Sequence, residues 1–306
     1  MRVDRPDLQN PTVGSSKLNL ITVCTQNYPM HYAEKLIRRF QTLTNLTVES
    51  YCITDRPNEV TDWAMPIVPP RLSEGWWNKL NIFSPSMPDG WLLYLDLDIV
   101  ILQNFDEEIT CTLKQGENIN CVSDAINWMG VRFSSSFMLL RSGVRPDIYD
   151  DFIKNEKALV NKPGGDQVWI GPKLDKVHYI DDSFPNLKKN LKFDLATKNK
   201  NEMNFPKVVD DRIKLIDCGG QPKPHQLARL LYIKNNWHDV PPIVPKVLHI
   251  KGDILQNNTR LIFNLNGNEL GIHKPQFLHV IHRRNLVRIQ VVDVIAPRWA
   301  KVEHLF

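Results

Sequence analysis

The apolar positions of the first hundred residues alternate between two periods. "LNLITVC" (Leu18–Cys24) and "LTVESYCIT" (Leu46–Thr54) are short, apolar and partly β-branched, which predicts buried strands. Between them, "MHYAEKLIRRFQTL" places Tyr32, Leu36, Ile37 and Phe40 at helical spacing, which predicts an amphipathic helix. "EGWWNKLNIF" predicts a short helix, and "GWLLYLDLDIVIL" (Gly90–Leu102) one long strand, the most apolar segment of the chain. This alternation predicts an α/β fold, a single Rossmann-like domain with a mostly parallel central sheet. Further on, "NINCVSD" and "SSFMLLRSG" predict strands, and "RPDIYDDFIKNEKAL" a helix opened by proline. "HQLARLLYIK" predicts another helix, and "KVLHI" and "NLVRIQVVDVI" late strands. The Asn- and Lys-rich run from Pro185 to Lys207 reads as a surface excursion.

Two acids interrupt the most apolar strand. Asp is a poor strand former, and an ionised carboxylate in a dry core costs several kcal/mol unless something compensates it. Asp96 and Asp98 form a D-x-D pair, whose mutual repulsion a divalent cation relieves. An oxygen-rich site with room for phosphate suits Mn²⁺ or Mg²⁺, so the favoured ligand is a metal–diphosphate complex. The plainer alternative is an amphipathic strand that turns Asp98 to solvent.

Composition narrows the classes only a little. The chain has 306 residues, 42% hydrophobic and 24% charged, as in ordinary globular proteins large enough to bury a sizeable core. No stretch approaches the ~20 uncharged residues of a membrane span, and the polar start "MRVDRPDLQNPTVGSSK" lacks the apolar centre of a secretory signal. Five cysteines, an odd number with no CxxC pair, fit free thiols and a cytoplasmic location. From Gly271 onward, Lys274, Arg283, Arg284, Arg288, Arg298 and Lys301 outnumber Asp293 and Glu303. Such a basic extension can grip an anionic acceptor such as nucleic acid, lipid phosphate or acidic glycan, or be a solvated face.

"YLDLDIVIL" resembles the signature strand of GT-A fold glycosyltransferases, particularly the retaining enzymes of family 8. The resemblance implies that Asp96 and Asp98 hold Mn²⁺ (or Mg²⁺) against the diphosphate of a nucleotide-sugar donor, a UDP-sugar above others. Four further stretches match in order. "VCTQNYPMHY" resembles the sugar-nucleotide loop, implicating Thr25, Asn27 and Tyr28, and "GWWNKLNIF" the segment whose lysine, here Lys79, lies near the nucleotide. "GGDQVWI" resembles the acceptor-side D-Q motif, which gives Asp166 and Gln167 the catalytic roles. "VLHIKG" resembles the late H-x-x-G motif, making His249 the third metal ligand, with Gly252 beside it.

Two departures stand out. Ser134 falls where the family has Asn, and Leu255 falls where a Lys commonly meets the diphosphate before Pro-Trp, leaving Lys251 or Arg260 to replace it. The domain plan expected is a leader at 1–17 and a GT-A catalytic domain at 18–265, followed by a basic extension at 266–306. The catalytic domain divides into a nucleotide-sugar half, 18–102, and an acceptor half, 103–265. The acceptor is a hydroxyl compound that the sequence does not name.

Plainer readings exist for each residue: an N-cap for Asp166, a solvated helix position for Lys79, a core histidine for His249. Trp76 and Trp77 read as core, although either could stack on sugar. The rival functions are a metal-dependent nucleotidyltransferase or nucleotide-sugar pyrophosphorylase, and a non-catalytic carbohydrate- or nucleic-acid-binding module. The former usually needs a glycine-rich phosphate loop after the first strand, and "CTQNYPMHY" has no glycine.

Overall fold

A computed structural model of the protein describes residues 17–26, 28–199 and 202–238, and the strand backbone at 248–249, 260–262, 276–282, 285–296 and 299–304. The chain divides into two compact units, residues 1–240 and 241–306. In the first, strands β1 (Leu18–Val23), β2 (Val48–Ile53) and β4 (Trp91–Leu95) form where the apolar runs predict them, and β3 (Met65–Ile67) is a short strand not expected from the sequence. Strand β5 (Ile99–Ile101) follows, then β6 (Ile119–Ser123), β7 (Phe133–Arg141) and β8 (His178–Tyr179). The central sheet has seven strands in the order β3-β2-β1-β4-β7-β6-β8. Only β7 runs antiparallel to its neighbours. The chain leaves β1 toward β2 and β3, then returns to the other side of β1 as β4. Ligands bind at such a reversal, outside the carboxyl ends of the strands.

Both faces of this sheet are covered. Helix α1 (Met30–Leu43) buries Leu36, Ile37 and Phe40 in the same layer as Trp91, Leu93 and Leu95 of β4. The alternate residues, Leu92 and Tyr94, join Trp77, Leu80, Phe83 and Phe152 on the other face. A strand buried on both faces reads as an unbroken apolar run, and each fully buried large side chain contributes about 1.5–3 kcal/mol. Trp77 stacks on Phe152 with ring centroids 5.4 Å apart, so it is a core residue. Helices α2 (Asp106–Gln115), not expected from the sequence, and α3 (Pro146–Leu159) complete this part; α2 starts on three acids and ends at Gly116 with φ +79°.

Several expectations are corrected. "GWLLYLDLDIVIL" is two strands: β4 stops at Leu95, and the Ile99 N–H closes a turn onto the Asp96 carbonyl at 3.1 Å. Two carboxylates cannot continue a strand buried on both faces, so the chain turns between them. The Pro185–Lys207 run is more than a surface excursion. It contains β9 (Lys188–Asn190) and the paired strands β10 (Thr197–Asn199) and β11 (Glu202–Asn204). A second, three-stranded sheet sets β12 (Leu215–Asp217) between β5 and β9. "HQLARLLYIK" is helical only at its end: tight turns run to Leu230, then a short helix covers Leu231–Ile233, with the Lys234 N–H on the Leu230 carbonyl at 2.8 Å. Leu227, Leu230 and Ile233 are buried, and their N–H groups bond Pro224, Leu227 and Leu230. That three-residue spacing suits i to i+3 turns rather than an α-helix.

The described residues of the second unit form one sheet, in the order β13-β15-β16-β17-β14. Its strands are β13 (Leu248–His249), β14 (Arg260–Ile262), β15 (Gln276–His282), β16 (Asn285–Ala296) and β17 (Trp299–His304). Among the described residues no helix is long and apolar enough to cross a membrane.

Candidate active site

The turn that ends β4 places Asp96 at the crevice beside β1, where its N–H bonds the Ser136 carbonyl of β7 at 2.9 Å. Lys79 reaches it from a 3₁₀ segment, Gly75–Phe83, with its side chain only 7% exposed. Its Nζ lies 3.0 Å from Asp96 Oδ1 and 3.0 Å from Asp166 Oδ2, and donates to Ser135 Oγ at 3.0 Å. The Tyr94 hydroxyl also donates to Asp96 Oδ1. Asp166 and Gln167 open helix α4 (Gly165–Ile170), whose N-cap is Gly164, so Asp166 is not the cap. Its buried carboxylate faces Lys79 instead, and Gln167 Oε1 accepts the Ser135 N–H at 3.4 Å. Gly164 and Gly165 both hold positive φ, +96° and +65°, where other residues are strained. These residues line one cavity of about 880 Å³, together with Thr25, Tyr28 and Asp98.

The cavity wall carries five aspartates (Asp96, Asp98, Asp124, Asp166, Asp217) against two lysines (Lys79, Lys223). Burial pushes the Asp96 carboxyl up to about 6; Lys79 opposes the rise, while Asp98 and Asp166 add to it. Burial disfavours the Lys79 ammonium, but Asp166 and Asp96 outweigh it and hold its pKa above the usual value. Lys223 stands in the same relation to Asp98, with Nζ 2.5 Å from Oδ2 and 5.7 Å from the centroid of the Tyr28 ring. The sequence reading missed Lys223. The pairing of β12 with β5 brings it there: Asp217 lies opposite Ile99, and the Cys218 N–H bonds the Asp98 carbonyl at 3.1 Å. Asp217 Oδ2 accepts from Lys188 Nζ at 2.9 Å and Ser136 Oγ at 3.0 Å, and Oδ1 from the Gly219 N–H at 2.8 Å. Although burial opposes it, Lys188 keeps the Asp217 carboxyl below its usual range.

No family model matches the chain, and no curated protein does. Solved structures do. The glycosyltransferase GlyE of Streptococcus pneumoniae TIGR4 aligns at a TM-score of 0.52 and 14% identity, covering 77% of this chain and 67% of GlyE. The galactosyltransferase LgtC, solved with donor and acceptor sugar analogs, aligns at 0.51 and 12% identity, covering 74% of this chain and 98% of LgtC. The chain has the GT-A glycosyltransferase fold. The resemblance first drawn from the D-x-D strand is therefore matched by the architecture around it.

Within this GT-A fold, Thr25, Tyr28, Lys79, Asp96, Asp98, Asp166 and Gln167 share one cavity. Asn27, Lys251 and Gly252 lie outside the described residues, as does the side chain of His249, whose backbone belongs to β13. Lys223 has a signal that a wider motif scan finds. The family spacing sought at His249 puts Gly three residues and Lys six residues after the histidine. Asp217, Gly220, Lys223 and Pro224 keep that spacing, with Asp in place of His. Ser134, at the family's Asn position, is buried in β7 and shares a hydrogen bond with Ser136 at 3.0 Å.

Among the described residues no group of three Asp, Glu, His or Cys side chains is placed to hold a metal ion. Asp96 and Asp98 supply oxygen donors in an acid-rich cavity that opens onto space for a substrate. That fits Mn²⁺ or Mg²⁺, which proteins commonly hold by one or two carboxylates and complete with substrate phosphate.

Proposed function

We propose that the protein transfers a sugar from a UDP-sugar to a hydroxyl acceptor, with retention of configuration and with a divalent cation present. The observation that carries this is the meeting of Asp96, Asp98, Lys79, Asp166 and Gln167 in one cavity at the carboxyl ends of β1 and β4. When bound, the cation neutralises charge on the departing diphosphate. Asp96 and Asp98 would hold it. Lys79 and Lys223 add positive charge beside the diphosphate, each as a compact ammonium. Tyr28 and Thr25 border the nucleotide. The Asp166 carboxylate stabilises the positive charge that develops at the sugar carbon, and the Gln167 amide orients hydroxyls.

The nucleotidyltransferase alternative fares worse. After β1, the Gln26 N–H is taken by both oxygens of Asp55 at 3.1 Å, so this loop presents a carboxylate where that chemistry needs a phosphate cradle. A purely binding module has no need of an ammonium bridging Asp96 and Asp166.

UDP titrated by calorimetry should bind at least about tenfold more tightly with Mn²⁺ than with EDTA, since the two aspartates repel a bare diphosphate. Equal affinities would remove the metal. Two variants separate the candidate partners of the D-x-D pair. Asp217→Asn loosens the wall that carries Lys223 and should weaken Mn²⁺-dependent UDP binding, with His249→Ala costing less. The reverse order gives the third position to His249.

The pH dependence follows from Asp96. Its carboxyl, held at about 6 in the folded chain, keeps a proton that the unfolded chain has already released. Metal-free stability should therefore fall as pH rises from about 4, the ordinary carboxyl value, toward 6. A cation favours the ionised form, so the rise in Tm caused by Mn²⁺ with UDP should grow through the same window. Thermal-shift measurements across it check both slopes; a Mn²⁺ effect independent of pH would take Asp96 out of the ligand set.

A further inference from the structure

Every exposed Phe, Trp or Tyr side chain among the described residues stands at this same cavity. They are Trp76, Trp128 and Phe193, which are 62%, 50% and 51% exposed. Exposed aromatics scattered singly need no explanation, but three gathered at one mouth mark a binding surface. Trp128 is also held in place by its loop. Asp124 Oδ1 accepts the N–H groups of Ile126 at 3.1 Å and Trp128 at 3.0 Å. Its neighbours Asn127 and Met129 both take left-handed φ, +50° and +53°, a conformation that persists only where surroundings fix it.

The rim is built against the reacting groups. A Cβ at Gly164 would lie 2.9 Å from Met129 Sδ, and one at Gly165 would lie 2.7 Å from Trp76 Nε1. Met129 and Trp76 therefore flank the two glycines that lead into Asp166 and Gln167. An exposed aromatic face beside groups that accept hydroxyl protons is the chemistry that recognises a pyranose: the ring's C–H face stacks, and its hydroxyls find polar partners. On the rim side of the cavity the charged groups are Asp124 and Asp166, and Lys79 is paired to Asp166, so among the described residues no cation is free there for an anionic acceptor. Aspartates dominate the cavity wall, and both lysines there are already ion-paired to them.

We infer that this rim is the acceptor subsite and that the acceptor is a neutral saccharide stacked on Trp128, with Trp76 as a second platform. The inference rests on the glycosyl-transfer reading of the cavity, and it differs from the anionic acceptor that the basic C-terminal residues left open.

Saturation-transfer NMR on the full chain with UDP and Mn²⁺ tests it, using cellobiose and maltose as neutral probes and digalacturonate as an anionic one. The neutral probes should show transfer to their ring protons. Trp128→Ala should reduce it about fivefold, the size of a lost stacking contact, and Trp128→Phe should restore part of it. Trp76→Ala should reduce it less, UDP affinity should stay within about twofold, and digalacturonate should show no transfer. An undiminished signal in Trp128→Ala overturns the proposal, as does preference for the anionic probe. An equal loss of UDP affinity makes Trp128 a donor contact and overturns it too. A lowered Tm with unchanged saccharide transfer means that the ring packs on this chain's own residues, which again overturns it. Absence of neutral-probe transfer while UDP still binds sinks the acceptor class alone; absence of UDP binding sinks the glycosyl-transfer reading beneath it.

Discussion

Lys79→Met is expected to lower stability by about 3–5 kcal/mol at neutral pH, as breaking a buried ion pair does when the partner charge stays behind. One ammonium serves two carboxylates here: Lys79 Nζ lies 3.0 Å from Asp96 and 3.0 Å from Asp166, and both the lysine and Asp166 are buried. Without it, Asp96 keeps the Tyr94 hydroxyl, whereas Asp166 loses its ion pair. Asp96 can relieve the strain by taking a proton, and losing Lys79 raises its carboxyl further above the usual range, so the penalty should shrink as pH falls below neutral. Adding Asp166→Asn to Lys79→Met removes one stranded charge and should recover part of the loss. The two changes should therefore be non-additive, as expected for groups in contact. Urea denaturation of the two single variants and the double variant measures this directly. A Lys79→Met cost below about 1 kcal/mol would show that the two carboxylates do not depend on the lysine.

The frame of this site was legible because its chemistry and its periodicity lie close together in the chain. Helix α1 runs over Met30–Leu43, the whole of the segment with helical spacing, because its apolar positions have only one face on which to meet the sheet. Two acids in an apolar strand were visible as a cost needing compensation, and Lys79, Asp166 and Gln167 are brought to them. The break after Leu95 was not visible. Both β4 and β5 are wholly buried runs, so periodicity cannot show that the second joins a different sheet. The partner of Asp98 was equally hidden. Lys223 lies 125 residues away, and only the β5–β12 register carries it there. A scan that required histidine passed over Asp217, although the glycine, lysine and proline after it keep the expected spacing. The first part of "HQLARLLYIK", before the short helix at Leu231–Ile233, misled for a different reason. Three-residue spacing of Leu227, Leu230 and Ile233 also occurs along an amphipathic helix, and the prolines at 222 and 224 favour the turns.

Asp166→Asn should leave donor binding nearly intact and cut turnover about 10²–10³-fold, the range seen when one electrostatic contact to a transition state is removed. The substitution keeps shape and removes a charge. Lys79 retains Asp96 and Ser135, so the D-x-D side of the cavity keeps its ammonium. The cost falls instead where positive charge develops at the sugar carbon, and an interaction made there lowers kcat rather than ground-state affinity. Hydrolysis of UDP-glucose or UDP-galactose reads turnover without knowledge of the acceptor, and calorimetry of UDP with Mn²⁺ reads binding. A second signature distinguishes this from a merely structural loss. Asp166 is one of the charges that raise the Asp96 carboxyl, so removing it should move the acid limb of Mn²⁺-dependent UDP binding to lower pH. Full turnover in the variant, or a loss confined to donor affinity, would take Asp166 away from the reacting carbon. A fall in turnover together with a downward shift of that limb fits a carboxylate that faces the sugar and shares Lys79 with the D-x-D pair.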